Sequence, residues 1–591
     1  MECFKDEAEM LEEFVKSVKD YSPDLLVGYF SDGFDLPYLR ARAEKNQIKL
    51  SLGLDSSQPT FSRGRITTGK INGIVHIDIF RFIETAYSQY LQSETLGLNE
   101  VASELLGEGK KDFDRTKRSS KIKDEEWKQY FEYNLQDSIL TWKLANKIWP
   151  DMLEFSKIIK EPVFNITRAG MSQLVELYIL HNLHKYNEIS EKHPVYEEIG
   201  KRRQRKRYEG AYVLQPDAGL YENLAIFDFT SYWPSIIVTY NLSRSTFLEK
   251  NQKNALEVDL GKQGKVYFSK QKGFFPLMLS EIIEKRKHYK QEYKKNPNGY
   301  TKARSNAYKL LANASYGYMG FFGARYYCPE ASASATAISR KFTKKTISLM
   351  EKQDYKVIYS DTDSIAFSLG KKTKKQALTL LKKINSELPG IMRLELEDFY
   401  KRGIWVTKRT GDFGAKKKYA LIDNKGKLKI RGFETVRRDW CRLARELQNN
   451  VLKMILEDGN EVRALKYFKS QVKKLKNREV NKKQIIIRTQ LKKPISEYKS
   501  ISPHVVAAQK MKEQGEPIDM GMLIEYYVAE TREKKKLVRE KVKLPDEKGK
   551  YNIKYYLERQ LIPAVENIFQ VFKINIKEEA EGKKQTKLDG F

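Results

Sequence analysis

Over residues 357–367 the chain reads Val-Ile-Tyr-Ser-Asp-Thr-Asp-Ser-Ile-Ala-Phe, two apolar flanks around Asp361 and Asp363. Such flanks about a short polar stretch predict a β-hairpin with carboxylates at its tip. On an extended strand, residues two apart face one side, so the pair would present two negative charges to one place. That costs stability unless a cation lies between them, whereas a lone Asp-x-Asp is ordinarily a solvated turn. A second acid in matching surroundings favours the cation. Residues 224–238 form an apolar strand pattern interrupted at Asp228, where an unpartnered buried carboxylate would cost several kcal/mol. A metal shared with Asp363 answers that cost, and a salt bridge is the structural alternative.

Elsewhere the pattern alternates between helix and strand. Phe4, Met10, Leu11, Phe14 and Val18 are spaced for a helix, and residues 25–30 read as a buried strand ending in Ser-Asp-Gly-Phe-Asp. Strand-like sequence at 71–83 and a helix at 125–149, carrying Tyr133 and Asp137, make the first 150 residues α/β. Helical patterns fill 151–190. The basic run at 201–207 is either a solvated face or a phosphate contact. Tyr208-Glu209-Gly210-Ala211 follows, its glycine permitting close backbone approach. Residues 273–323 read as a basic helical hairpin with Arg286 and Lys290 on one face, and Lys309, Asn313, Tyr316 and Gly317 aligned on its second helix. Those residue types suit a triphosphate and a base pair. Leu394-Glu395-Leu396-Glu397 alternates like a strand with both acids on one side. Lys416, Lys417, Lys418 and Tyr419 place a basic cluster against another strand, and 434–570 is expected to be largely helical.

Composition narrows the partner. The net charge of +32 over 591 residues points to a polyanion, with nucleic acid leading, and the length predicts several domains. Three scattered cysteines suggest neither a disulfide framework nor a zinc cluster, hence a reducing, cytoplasmic setting. No apolar run approaches the roughly 20 residues that span a bilayer, and the acidic first residues are unlike a signal peptide. No membrane partner is expected.

The order of these stretches resembles family B DNA polymerases of the archaeal, replicative type. Asp228 to Ile236 resembles motif A, Lys309 to Gly317 motif B, and Tyr359 to Ser364 motif C. Tyr208 to Ala211 resembles the template-contacting loop, Lys416 to Tyr419 the primer-duplex contact, and Arg431-Gly432 with Arg437-Arg438-Asp439-Trp440 the palm-to-thumb passage. The resemblance implies an α/β and α+β multidomain right-hand polymerase (palm, fingers, thumb) preceded by a partial RNase H-like exonuclease domain. The implied domains are the exonuclease-like 1–150, a helical connector 151–207, palm 208–272 and 326–433, fingers 273–325, thumb 434–577 and a tail 578–591.

It further implies a DNA-directed DNA polymerase extending primer-template DNA with dNTPs by two-metal phosphoryl transfer. Asp228, Asp363 and the Phe229 carbonyl would hold two Mg²⁺, with Mn²⁺ able to substitute, and Asp361 would support them. Arg286, Lys290, Lys309 and Asn313 would hold the triphosphate, with Trp233 and Tyr316 against the nucleotide. Tyr208, Gly210, Lys416, Lys417, Lys418 and Tyr419 would contact DNA. Glu395 and Glu397 match family acids near the site. Gln585, Leu588 and Phe591 resemble a sliding-clamp peptide. The spacing from Asp228 to Lys309 leaves no room for the large insertion of protein-primed relatives, so a nucleic-acid primer is implied. The alternative reading is a catalytically silent polymerase-like subunit that binds DNA.

Departures from the family pattern carry their own expectations. Trp233 stands where a tyrosine usually packs under the sugar, yet a large aromatic should still exclude a 2′-hydroxyl. Ala314 replaces a common serine, and 411–415 resembles a small insertion. Asp35, Tyr133 and Asp137 match the second and third exonuclease motifs, with Phe30 where asparagine is usual. The first motif, Asp-x-Glu, belongs upstream of the chain's start, as does the domain that surveys template uracil in archaeal relatives. Asp78 lacks the following Glu and reads as structural. Either a small subunit supplies the missing acids in a split polymerase, the favoured expectation, or proofreading is lost.

Overall fold

The computed structural model describes residues 4–62, 67–91, 96–109, 124–408, 413–434, 439–514, 518, 522–531 and 537–582, with only the backbone of 124–126. Gln585, Leu588, Phe591, Arg437, Arg438, Gly411 and Asp412 lie outside these residues. The chain divides into two compact units. One comprises Met1–Gly210 with Ser231–Ile338, the other Ala211–Thr230 with Ser339–Phe591.

In the first unit, strand β1 (Leu25–Gly28) pairs in parallel with β4 (Val75–Asp78), and β2 (Thr60–Ser62) forms a hairpin with β3 (Thr68–Lys70). Helix Glu7–Tyr21 packs Leu11, Val15 and Val18 inward, capped by Asp6. A buried ionic knot holds this region to helix Val163–Arg168. Arg168 donates to both oxygens of Asp32 at 2.9 and 3.1 Å, Gly69 N donates to Asp32 at 2.8 Å, and His76 lies beside them against Ser31. Full burial without such partners would be prohibitive. Asp78 accepts from the backbone N–H of Phe30, Asp32 and Phe80, which is the structural role read from the sequence.

Helix Asp124–Ile159 supplies buried Glu154, which pairs with Arg304 on helix Gly299–Gly320. That helix and Phe274–Lys295 form the expected hairpin, joined by a turn in which Asn298 accepts from Thr301 N and stapled by parallel Tyr289 and Tyr308 rings 5.9 Å apart. A small sheet, β7 (Phe247–Leu248), β8 (Leu256–Asp259) and β9 (Lys265–Phe268), precedes it. The basic run is largely committed within this unit. Arg202 donates to the carbonyls of Phe322 and Ala324, Arg203 lies over the Phe322 ring, and Arg205 pairs with Glu330.

The second unit is built on a seven-stranded antiparallel sheet. β5 is Val213–Leu214, β6 Gly219–Phe229, β10 Lys356–Asp361, β11 Ser364–Ser368, β12 Leu394–Thr407, β13 Gly414–Asp423 and β14 Leu428–Arg431, in the order β14-β13-β12-β6-β11-β10-β5. β6 is therefore central, and its Leu224–Phe227 run is buried because both neighbours and both faces are covered. Where the sequence suggested one interrupted strand, β6 stops at Phe229 and helix Tyr232–Thr239 begins. Beyond the sheet, helices Arg442–Asp458, Val462–Lys476 and Ile562–Gln570 share a core with β12 and β13. The expectation of a largely helical 434–570 missed a three-stranded sheet, β15 (Ile487–Gln490), β16 (Leu523–Val528) and β17 (Val542–Lys543). Tyr526, Tyr527 and Val528 make β16 a buried, β-branched and aromatic strand.

Candidate active site

Alternation along β6 sends Phe227 and Phe229 to one side and Leu224, Ile226 and Asp228 to the other. The second face is packed by Tyr359, Tyr400, Trp405 and Leu421, so Asp228 ends an apolar surface. Across the ladder it stands opposite Ser364 of β11 and Glu395 of β12. Asp361, two residues after Tyr359, closes β10 opposite Ser364.

Asp363 departs from the simple alternation expected of it. β10 ends at Asp361 and β11 begins at Ser364, so Thr362 and Asp363 are the turn itself. Thr362 has φ 61°, and Asp363 N donates to Asp361 O at 2.7 Å, a three-residue turn of the strained, positive-φ kind. A β-branched residue accepts that backbone only when neighbours impose it. They do: Thr362 N donates to Tyr212 O, its carbonyl accepts from Thr343 Oγ1, and its own hydroxyl donates to Asp361 Oδ1. Phe229 N donates to Asp363 O at 2.9 Å, tying the turn to the end of β6.

Electrostatics register the crowding. Burial, then the Asp363 carboxylate and Glu397, push Asp228 up to about 7, with Lys429 opposing. Burial pushes Asp363 up to about 6, with Asp361 and Glu397 adding and Lys417 opposing. Charges so arranged favour a cation over mutual protonation. Among the described residues no three carboxylate, imidazole or thiolate groups are already gathered as a metal cage. Hard oxygen donors few in number nevertheless suit Mg²⁺, which is bound by one or two carboxylates together with substrate phosphates.

Two expectations about neighbouring residues change. Glu395 and Glu397 do not share an uninterrupted face, because the register shifts between Leu396 and Asp398 and leaves Glu397 as the extra residue of a bulge. Lys418 is not an exposed phosphate contact. Its ammonium is 2.9 Å from both oxygens of buried Glu434 and lies over Phe433. Lys416 and Lys417 are exposed. Lys417 Nζ lies 3.3 Å from Asp361 Oδ1, and its backbone N donates to Tyr359 OH. Tyr419 stacks on Trp405. Lys429 was missed by the sequence reading, although the alternation Leu428-Lys429-Ile430-Arg431 marks a strand whose charged face could be traced.

The predicted nucleotide residues gather in the first unit. Arg286 donates to Ser231, and Lys309 lies over the Tyr90 ring at 5.1 Å. Trp233 stacks on Tyr316 at 4.4 Å and 13°, and Tyr316 OH is 3.5 Å from Tyr208 OH. Lys290 and Asn313 are exposed, as are Gly210 and Gly317, where an added Cβ would meet open space. Asp35 is exposed at the first turn of helix Asp35–Lys45, while Tyr133 and Asp137 are half-buried on helix Asp124–Ile159.

The sequence matches a model of DNA polymerase family B over residues 162–572 and one of that family's exonuclease domain over residues 1–101. The DNA polymerase of Pyrococcus glycovorans is 35% identical over 594 residues, covering 97% of this chain and 73% of that protein. That of Thermococcus gorgonarius is 34% identical, covering 96% and 73%. The structure of the family B DNA polymerase from the hyperthermophilic archaeon Pyrobaculum calidifontis aligns with a TM-score of 0.74 at 28% identity, over 97% of this chain and 74% of that one.

Proposed function

Since this chain belongs to DNA polymerase family B, of the archaeal type, and is a DNA-directed DNA polymerase, we propose that it extends primers at Asp228 and Asp363, with Asp361 in support. The observation that carries this reading is the convergence of Asp228, opposite Ser364 and Glu395, with the Asp361–Asp363 turn that Phe229 N fastens to the end of β6 at 2.9 Å, where burial raises both Asp228 and Asp363. Two Mg²⁺, or Mn²⁺ in their place, held by Asp228, Asp363 and the Phe229 carbonyl, would neutralise the attacking 3′-oxygen and the leaving pyrophosphate.

Arg286, Lys290, Lys309 and Asn313 take the triphosphate of the incoming dNTP. Trp233, backed by Tyr316, closes the space a 2′-hydroxyl needs. Lys416, Lys417 and Tyr419 hold the primer duplex, and Tyr208 and Gly210 the template. On this reading residues 273–325 are fingers and 434–577 thumb. The setting is the cytoplasm, with the nucleoid; no described helix is long and apolar enough to cross a membrane.

Two partners complete the proposal. The tail residues Gln585, Leu588 and Phe591 bind a sliding clamp, and a small subunit supplies the first exonuclease acids beside Asp35 and Asp137. Support for the second is β1, which pairs only with β4 among the described strands and has no fully buried residue despite its Leu-Leu-Val-Gly sequence. Such an edge is a template for another strand. The test is primer extension by the purified chain alone. Synthesis that stops on chelation is expected, and binding without synthesis would instead establish the silent subunit.

A further inference from the structure

We propose that Lys429 is a built-in counter-cation that withholds Glu397 from the metal-binding set of Asp228 and Asp363, an inference that rests on the metal assignment above. Lys429 lies on β14, two strands from β12, and forms an ion pair with Glu397 Oε1.

The contact has a third member. Tyr400 OH donates to the same Glu397 oxygen at 3.2 Å, and the Lys429 ammonium stands 5.9 Å from the Tyr400 ring centroid. The bulge that makes Glu397 the extra residue of its strand frees it from the ladder. Both charges reach the catalytic acid, since Glu397 raises Asp228 and Lys429 lowers it. An exposed ion pair contributes little to stability. Here the side chains are 22% and 35% exposed, and the consequence lies in charge. With Glu397 neutralised, the cluster presents the charge of Asp228 and Asp363 rather than that of a third free acid able to draw another divalent ion.

Mn²⁺ binding by the full chain, followed through the electron paramagnetic resonance signal of the free ion, tests this without turnover. Lys429→Met should bind Mn²⁺ about tenfold more tightly, as expected for removing a positive charge near a divalent site. Lys429→Arg should stay within about twofold of wild type, whereas Glu397→Gln alone, which leaves the lysine's charge unpaired beside the site, should weaken binding about tenfold. Adding Glu397→Gln to Lys429→Met should restore wild-type affinity. Unchanged binding in Lys429→Met, or a double variant that stays tight, would overturn the inference while Asp363→Asn still weakens binding. If Asp363→Asn has no effect, the metal assignment fails and this inference with it.

Discussion

A carboxyl lifted to about 7 stores its own pH dependence. Folded Asp228 keeps its proton up to that point, whereas unfolded it would release it near pH 4. Between these values the folded state binds more protons, so the stability from this group is full at low pH and is lost as pH rises through about 7. In metal-free protein the melting temperature of wild type should therefore fall relative to Asp228→Asn over that interval, and added Mg²⁺ should reverse the difference. Parallel curves would contradict the shift. Trp233 makes a separate prediction at the same scale. Its stack on Tyr316 fixes a large ring, so Trp233→Ala should raise ribonucleotide incorporation about tenfold or more, read as the ratio of rNTP to dNTP incorporation efficiency. An unchanged ratio would remove Trp233 from sugar selection. The identities of these residues were readable from the sequence because an acid in an apolar run is chemically conspicuous. Lys429 and Lys418 were not, because a lysine's partner depends on which strands become neighbours.

The hairpin joining β10 and β11 shows what a pattern can and cannot deliver. Its apolar flanks fix the strands, so its existence was legible. The orientation of Asp363 was not, since it depends on Thr362 at positive φ held by Tyr212 and Thr343, contacts far away in sequence. The bulge at Glu397 escaped for the same reason, because pairing with β6 sets it. The residue that follows β14 carries a comparable constraint against β13. Gly432 has φ 69°, and a Cβ there would meet the Lys417 carbonyl oxygen at 2.0 Å. Gly432→Ala should destabilise this region by roughly 1–3 kcal/mol and loosen primer-template binding, seen as a lowered melting temperature and a larger Kd. Gly210→Ala, which meets open space, should leave the melting temperature unchanged.

At the scale of the molecule, the charge of +32 and the sequence order of the motifs pointed to the right partner class before any contact was known. The division into units was less legible, since residues 211–230 join a sheet whose other strands follow Ser339, and only long-range pairing decides that. The exposed edge of β1 has the same character. Deleting 585–591 should abolish clamp-stimulated processivity and spare distributive synthesis, measured by product length with and without clamp; equal loss of both would sink the tail assignment. The central claim, that Asp363 together with Asp228 performs the transfer, meets its most direct test in rapid-quench single-nucleotide extension by wild type and Asp363→Asn, with primer-template binding measured alongside. The chemical step of Asp363→Asn should be slowed about a thousandfold, with Kd for DNA essentially unchanged. Extension by Asp363→Asn at the wild-type rate would contradict that claim.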